Sequence, residues 1–272
     1  MWSDVKKTAE EAALKHPAMF PAALPKRLIE CFAAPGDRVV LDPFAGMGST
    51  LIAAAECGMA GIGLELSEEY CGVAKGRLEA KGCKVAGIPR GVYPEPQEPP
   101  RYEFLRFAQN HKRRARNDGV LHRADARRVA QYVAPGSVDL IITSPPYWDI
   151  LSRRRTADRK APRTYRADGR DLGKIGDYAA FLEALREVFA GCLQCLRAGG
   201  FALVVVMDLR KRDRFYALHA DLAALMQEVG FIFDDLIIWD RRQEYNNLRP
   251  LGYPSVFRIN KAHEYVLIFK KP

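Results

Sequence analysis

The sequence predicts an α/β protein with a doubly wound, mostly parallel sheet. Three observations support this fold class. Short apolar runs rich in β-branched residues alternate with stretches of helical spacing. Glycine or an acidic residue follows several of these runs, and the chain ends on two strand patterns with no helix between them. The first two features are typical of parallel strands joined by helices, and the third predicts an antiparallel terminal strand.

Seven runs predict the strands of this sheet. They lie at residues 39–41, 61–65, 120–125, 138–143, 201–207, 231–240 and 264–270. Two other stretches, residues 86–120 and 151–175, are rich in proline or poor in apolar residues. Such segments cannot form a core, so we expect them to be loop insertions in a single domain that spans residues 1–272.

The charge balance favours a polyanionic partner. The 272 residues carry 42 Lys and Arg against 33 Asp and Glu, which gives a net charge of +9. Residues 151–174 alone hold nine basic and three acidic side chains. The chain has no apolar run of about 18 residues and its first residues lack the apolar centre of a signal peptide. We therefore expect a cytoplasmic protein without membrane contact.

The cysteines do not predict a metal site. Cys192 and Cys195 form a C-x-x-C pair, but no second pair or histidine cluster completes a zinc site. Their spacing places both on one face of the helix predicted around them. We therefore interpret them as structural thiols.

A glycine loop follows the first predicted strand, in the sequence Asp-Pro-Phe-Ala-Gly-Met-Gly-Ser-Thr at 42–50. Gly46 and Gly48 permit positive φ, and Ser49 or Thr50 can cap the next helix. Glu65 lies 17 residues past Gly48, near the position where doubly wound folds bind ribose hydroxyls. The loop lacks a third glycine and a P-loop lysine. Because Asp42 would repel a pyrophosphate, the pattern favours a ligand with a positive centre.

Several polar residues are predicted to share one edge of the sheet. Asp42, Glu65, Asp125 and Ser144 each fall at the carboxyl end of a predicted strand, where ligands of such sheets bind. Ser144 opens the sequence Ser-Pro-Pro-Tyr, 144–147. Two prolines stiffen the backbone there, so the serine hydroxyl, a proline carbonyl and the tyrosine ring keep a fixed relation. This set offers acceptors for an amino group and an aromatic face for a base.

At this point the chain resembles a known family, the S-adenosylmethionine-dependent DNA amino-methyltransferases that act on N4 of cytosine or N6 of adenine. The matching segments are 42–50 and 144–147. His16-Pro17-Ala18 with Phe20-Pro21 resembles the segment that walls the cofactor in these enzymes, and 263–270 resembles their closing strand. The resemblance implies a Rossmann-like methyltransferase fold with a seven-stranded sheet.

The resemblance also implies a cofactor and its binding residues. The cofactor is S-adenosylmethionine, with Asp42 near its amino end, Glu65 on the ribose hydroxyls and Asp125 on the adenine amino group. The full implied set is His16, Pro17, Phe20, Asp42, Pro43, Phe44, Gly46, Gly48, Ser49, Thr50, Glu65, Leu66, Asp125 and Ala126.

The implied reaction is an in-line methyl transfer to the exocyclic amine of a base flipped out of double-stranded DNA. The implied catalytic residues are Ser144, Pro145, Pro146 and Tyr147. The Ser144 hydroxyl and the Pro145 carbonyl would accept from the amine, and Tyr147 would stack on the base. The related enzymes that methylate C5 of cytosine need a cysteine nucleophile that follows a proline. No cysteine in this sequence follows a proline, which excludes that reaction. Serine at the first position favours N4 of cytosine; N6 of adenine and an RNA base remain alternatives.

The expected nucleic-acid contacts come from the basic segments and one aromatic ring. They are Arg113, Arg114, Trp148, Arg153, Arg154, Arg155, Arg159 and Lys160. An alternative of a different class is a basic α/β module that binds nucleic acid without catalysis. Such a module would not need the acids and Ser-Pro-Pro-Tyr at one edge. The recognition sequence, a partner restriction enzyme and the choice between monomer and homodimer stay open.

Overall fold

A computed structural model describes residues 1–14, 19–86, 118–149, 170–211, 214–242, 250–251, 258–259 and 261–272. It confirms the predicted α/β class. The described residues contain a central eight-stranded sheet with the order β3-β4-β2-β1-β5-β6-β12-β9, flanked by helices. Two small two-stranded sheets, β7-β8 and β10-β11, accompany it.

The strands are β1 (Val39–Asp42), β2 (Ala60–Glu65), β3 (Lys84–Ala86), β4 (Asp118–Arg123), β5 (Val138–Thr143), β6 (Leu196–Val206), β7 (Leu209–Lys211), β8 (Arg214–Tyr216), β9 (Ile232–Asp240), β10 (Pro250–Leu251), β11 (Arg258–Ile259) and β12 (His263–Lys270). The α-helices are α1 (Ala9–Ala13), α2 (Ala23–Phe32), α3 (Ser49–Glu56), α4 (Glu68–Ala80), α5 (Val129–Tyr132), α6 (Tyr178–Cys195) and α7 (Leu218–Val229). Among the described residues, no helix has the length and apolar character needed to cross a membrane.

Strand direction follows the prediction, but the number of strands does not. β3, β4, β2, β1, β5 and β6 pair in parallel, and β12 runs antiparallel between β6 and β9. The predicted count of seven is wrong because β3 adds an eighth strand at the edge. β3 has only three residues, too few to produce a recognisable pattern.

The core lies on both faces of the sheet because successive strand residues point to opposite sides. Val40 and Leu140 pack with α2 and α3, whereas Leu41 and Ile141 pack with α6 and α7. All four side chains are fully buried. Helices on both faces explain why the central strands read as continuous apolar runs.

Only the ends of the two predicted insertions lie within the described residues. Residues 87–117 and 150–169 lie outside the described residues. At the ends of the predicted ranges, however, Asp118 begins β4, and Leu172–Lys174 forms a 3-10 helical turn. The Ile175 carbonyl accepts a hydrogen bond from Trp148. These ends therefore belong to the body of the domain, and the single-domain organisation stays a prediction.

The C-x-x-C cysteines are buried within the fold. Cys192 and Cys195 are both fully buried on α6. Cys195 donates to the carbonyl of Val133, with 3.4 Å between Sγ and O. Burial raises the pKa of the Cys195 thiol to about 12, so the group stays protonated. These contacts support the structural interpretation.

Candidate functional site

The glycine loop joins the end of β1 to the start of α3. Gly46 has a φ of 50° and Gly48 a φ of 80°, which confirms the predicted tight turn. A Cβ on Gly48 would lie 3.0 Å from that of Ala74 on α4, so the helices also need glycine here. The predicted cap is wrong: Gly48 is the N-cap of α3, and no side chain caps it.

Asp42 at the end of β1 is a buried acceptor that ties the loop to its neighbours. Its carboxylate is 1% exposed and accepts from Thr143 Oγ1 at 2.6 Å, Thr50 Oγ1 at 2.7 Å and the Phe44 amide at 3.0 Å. Burial raises the pKa of Asp42 to about 6, although these hydrogen bonds oppose the shift. A carboxylate offers about four acceptor positions, so one remains for a ligand.

Glu65 at the end of β2 holds the other side of the glycine loop. Its Oε2 accepts from the Gly46 amide at 2.9 Å, and its Oε1 accepts from the Ser67 amide at 2.7 Å. Burial raises the pKa of Glu65 to about 7. Each oxygen has one donor and can accept a second, which matches the two adjacent hydroxyls of a ribose.

The four residues predicted to share one edge of the sheet do lie along it. Asp125, Glu65, Asp42 and Ser144 follow or end β4, β2, β1 and β5, which are successive parallel neighbours. Asp125 is 7% exposed and binds the Arg127 guanidinium at 2.6 Å. This arrangement brings the acids of the glycine loop beside the Ser-Pro-Pro-Tyr loop.

The remaining predicted cofactor residues occupy varied positions. Pro43 and Ala126 are buried, Leu66 is half-buried, and Phe20 packs on the α2 and α3 face of the core. Ser49 is buried, and its hydroxyl has no hydrogen-bond partner among the described residues. His16 and Pro17 lie outside the described residues. The role of every member of this set in cofactor binding stays a prediction.

A directed chain of hydrogen bonds fixes the Ser-Pro-Pro-Tyr loop. Ser144 Oγ donates to Tyr147 Oη at 3.0 Å, and Tyr147 Oη donates to Glu264 Oε2 at 2.8 Å. Arg241 Nη1 binds the other oxygen of Glu264, which is 3% exposed. Burial and the charge of Glu264 raise the pKa of Tyr147 well above its usual range, so the phenol keeps its proton.

The direction of this chain follows from its last member. A carboxylate only accepts, so Tyr147 must donate its single hydrogen to Glu264. In its contact with Ser144, Tyr147 is therefore the acceptor. The hydroxyl hydrogen of Ser144 is therefore committed, and its lone pairs are available to a ligand. Pro145 and Pro146 separate Ser144 from Tyr147 in the sequence. Pro145 is buried, and Pro146 is half-buried.

The burial of Trp148 argues against the predicted contact with a base. Its side chain is 5% exposed, and its ring packs against those of Tyr178 at 4.9 Å and Tyr216 at 5.0 Å between centroids. Trp148 Nε1 donates to the Ile175 carbonyl at 2.8 Å, and Lys211 Nζ lies 2.8 Å from the ring centroid. The other predicted nucleic-acid residues lie outside the described residues: Arg113, Arg114, Arg153, Arg154, Arg155, Arg159 and Lys160.

Three residues of the site were not predicted as site residues from the sequence: Thr143, Arg241 and Glu264. Glu264 had a detectable signal, because it is a buried acid in a mostly apolar closing strand. Such an acid needs a partner. The sequence does not reveal that the partners are Tyr147 and Arg241.

Comparisons with known proteins identify the family of the chain. A family model for N6/N4 methyltransferases, described as DNA methylase, matches residues 1–76 and 138–272. The type II methyltransferase M.ScaI of Streptomyces caespitosus is 43% identical over 79 residues, which cover 29% of this chain and 24% of that protein. The DNA adenine methyltransferase YhdJ of Escherichia coli K12 is 44% identical over 64 residues, which cover 24% and 21%.

The matched segments thus span about a quarter of these curated relatives' length. Among solved structures, TrmN from Thermus thermophilus aligns over 96% of this chain and 51% of that chain, with a TM-score of 0.52 and 17% identity. That likeness concerns the fold alone. The family model, in contrast, covers well over half of the sequence, including both motifs at the sheet edge. The chain therefore belongs to the N6/N4 DNA methylase family.

Proposed function

We propose that the protein transfers a methyl group from S-adenosylmethionine to the exocyclic amine of a base in double-stranded DNA, with N4 of cytosine as the acceptor. Membership of the N6/N4 DNA methylase family supports both the reaction class and the cofactor. The family's description as DNA methylase and the name of one relative, a DNA adenine methyltransferase, support DNA as the substrate.

The hydrogen-bond direction at Ser144 carries this proposal. An exocyclic amine is a poor nucleophile because its lone pair is delocalised into the ring. Ser144 Oγ has given its own hydrogen to Tyr147 and so can only accept from the amine. That contact holds the amine in position and favours a localised lone pair. As the new C–N bond forms, the bond between the methyl carbon and the sulfur would break and leave the sulfur neutral, and the amine would lose one proton. A serine whose hydrogen pointed at the amine would oppose the same step.

The glycine loop fits the cofactor. S-adenosylmethionine would supply a methyl group on a positively charged sulfur. The remaining acceptor position of Asp42 suits the amino group of its methionine part, and the two remaining positions of Glu65 suit the ribose hydroxyls. Within the part of the chain that the structure describes, the buried Ser49 hydroxyl has no hydrogen-bond partner, and a ligand in this loop would satisfy it.

Adenine N6 is the second candidate acceptor. The similarity to a DNA adenine methyltransferase over 64 residues favours it, whereas serine at the first position of the catalytic motif favours cytosine. The hydrogen-bond chain from Ser144 to Glu264 would orient the Ser144 hydroxyl in the same way for either amine. An RNA base as acceptor, and a role limited to nucleic-acid binding, are the alternatives that the experiment must separate.

Two measurements test the proposal. Calorimetry should detect S-adenosylmethionine binding to the wild type, with strong loss in Asp42→Ala. Transfer of a labelled methyl group should occur to DNA rather than RNA, and Tyr147→Ala should lose transfer while keeping cofactor affinity. A wild type that binds DNA but not the cofactor would support the non-catalytic alternative. Transfer to RNA alone would exclude DNA as the acceptor.

A further inference from the structure

The β7-β8 hairpin stands beside the catalytic loop, although its sequence was not recognised as part of the site. It begins three residues after β6, whose carboxyl end lies at the same edge of the sheet as Ser144 because β5 and β6 are parallel. The cross-strand pairs are Leu209 with Tyr216, Arg210 with Phe215 and Lys211 with Arg214. Residues directly opposite share a face, so Arg210 and Phe215 occupy one face and the other pairs occupy the second.

The second face of the hairpin is anchored on the residues that follow Ser-Pro-Pro-Tyr. Leu209 is 3% exposed, and the Tyr216 ring meets Trp148 edge-on at 5.0 Å. Lys211 Nζ lies 2.8 Å from the Trp148 ring centroid and 2.5 Å from Asp149 Oδ1. Because Trp148 directly follows Tyr147, the hairpin and the catalytic loop form one packed unit. A group held by the hairpin would therefore keep a defined position relative to Ser144.

The outer face is exposed, cationic and aromatic. Phe215 is 40% exposed, and Arg210, which lies opposite, places its guanidinium carbon 5.4 Å from the ring centroid. Lys261 Nζ approaches the same ring at 3.8 Å. On the other face, Arg214 is also exposed, and its guanidinium carbon lies 4.9 Å from the Tyr216 centroid.

The arginines of this hairpin differ from most others in the described part of the chain. Eight other arginines bind carboxylates: Arg27, Arg77, Arg123, Arg127, Arg186, Arg197, Arg241 and Arg242. Arg210 and Arg214 have no such partner among the described residues and pack on rings instead. A guanidinium stacked on a ring keeps its in-plane N–H donors free, which suits a phosphate.

We propose that the outer face of the β7-β8 hairpin, together with the exposed Arg214 of its other face, is a DNA-contact surface. Arg210 and Arg214 bind phosphates of the strand beside the base that enters the site, and Phe215 offers apolar surface to the stack where that base has been removed. The net charge of +9 and the exposed guanidinium groups of Arg210 and Arg214 complement DNA. An exposed aromatic between cations is the combination that unstacked nucleic acid prefers.

This inference rests on DNA as the acceptor in the proposed function. The test measures binding of a fluorescent duplex by anisotropy over a series of salt concentrations. The double variant Arg210→Ala/Arg214→Ala is compared with Lys81→Ala/Lys84→Ala, which removes the same charge from exposed residues at the opposite edge of the sheet, where β3 begins. Cofactor affinity and melting temperature of each variant show whether the fold is intact.

The hairpin variant should bind the duplex about tenfold or more weakly, and its salt slope should fall by about 2, because each phosphate contact contributes about 0.9. The lysine variant should keep a slope near that of the wild type, and cofactor affinity should not change in either. Equal affinity and slope in the two variants would overturn the inference while leaving the proposed function intact. A wild type that binds no duplex would overturn both.

Discussion

Tyr147 and Glu264 are 117 residues apart in the sequence, yet Tyr147 Oη donates to Glu264 Oε2 at 2.8 Å. The antiparallel course of β12 explains this contact, since its first residues meet the carboxyl edge of the parallel strands. The buried carboxylate thereby determines which way the Ser144 hydroxyl points. Glu264 is a positioning residue, which acts on the amine only through Tyr147 and Ser144.

The substitution Glu264→Gln should reverse the hydrogen-bond chain. Arg241 only donates, so the new carbonyl oxygen must face Arg241 and the amide nitrogen must face Tyr147. Tyr147 would then donate to Ser144, whose hydrogen would point at the amine. We expect kcat to fall about 10- to 100-fold, as for other groups that orient a catalytic residue, with cofactor affinity unchanged. Single-turnover methyl transfer would measure this effect.

A double-mutant cycle provides the control for that variant. Tyr147→Phe already breaks the chain, so adding Glu264→Gln should cost little further kcat. Fully additive losses in the double variant would contradict a shared route through Tyr147 and would indicate a separate structural role for Glu264.

Asp42→Asn should have opposite effects on cofactor affinity, which should fall, and on the relative melting temperature, which should rise with pH. Burial raises the pKa of Asp42 from 3.8 to about 6. The folded state therefore binds this proton more tightly than the unfolded state. The stability that the bound proton contributes is lost as the pH rises from 3.8 through about 6. The ionised carboxylate thus costs about 3 kcal/mol at neutral pH.

Asparagine removes this cost, so the melting temperature of the variant should rise relative to the wild type as pH increases from 4 to 7. Without the negative charge, affinity for S-adenosylmethionine should fall about tenfold or more. Calorimetry and thermal melts at matched pH would check both effects. Unchanged affinity would contradict a contact between Asp42 and the positive end of the cofactor.

Cofactor binding should depend on pH through Glu65. Burial raises its pKa to about 7, and only the ionised form keeps both oxygens as acceptors for ribose hydroxyls. Affinity should therefore fall as pH drops below that pKa, by at most about tenfold per unit for one proton. Glu65→Gln should bind more weakly and lose this transition. A wild-type affinity independent of pH across this range would exclude the assigned role.

Trp148 should matter for stability rather than for direct DNA contact. Trp148→Ala would leave a cavity among Tyr178, Tyr216 and Lys211, and such substitutions cost about 3–5 kcal/mol. Chemical denaturation would measure the loss, and Trp148→Phe should recover much of it. Normal stability with impaired DNA binding would support the original interpretation of an exposed ring.

The sequence predicted the elements and the edge of the sheet well because both follow from local patterns. Apolar runs located β1, β2 and β5, and the glycine spacing located the turn with positive φ at Gly46 and Gly48. β3 was not predicted because its three residues are too few to show the alternation of a strand. The cap on α3 was wrong because Thr50 bonds Asp42 instead of the helix end.

Contacts between distant segments could not be predicted in this way. Nothing in the spacing of Trp148 shows that Tyr178 and Tyr216 bury it. No element was predicted for residues 209–216, since the alternation of this segment becomes visible only once Trp148 is known to face it. The direction of the Ser144 hydroxyl likewise depends on Glu264, which the sheet order brings to the site.

The identity of the methylated nucleoside tests the central claim most directly. Wild-type protein would be incubated with S-adenosylmethionine carrying a labelled methyl group and with DNA or RNA, and the products would be digested and resolved by mass spectrometry. The hydrogen-bond chain at Ser144 predicts label on an exocyclic amine in DNA, and the serine of the motif predicts that the product is N4-methylcytosine. No label should appear in the Ser144→Ala reaction at matched protein concentration. Label at C5 of cytosine, label only in RNA, or no label in any nucleoside would contradict it.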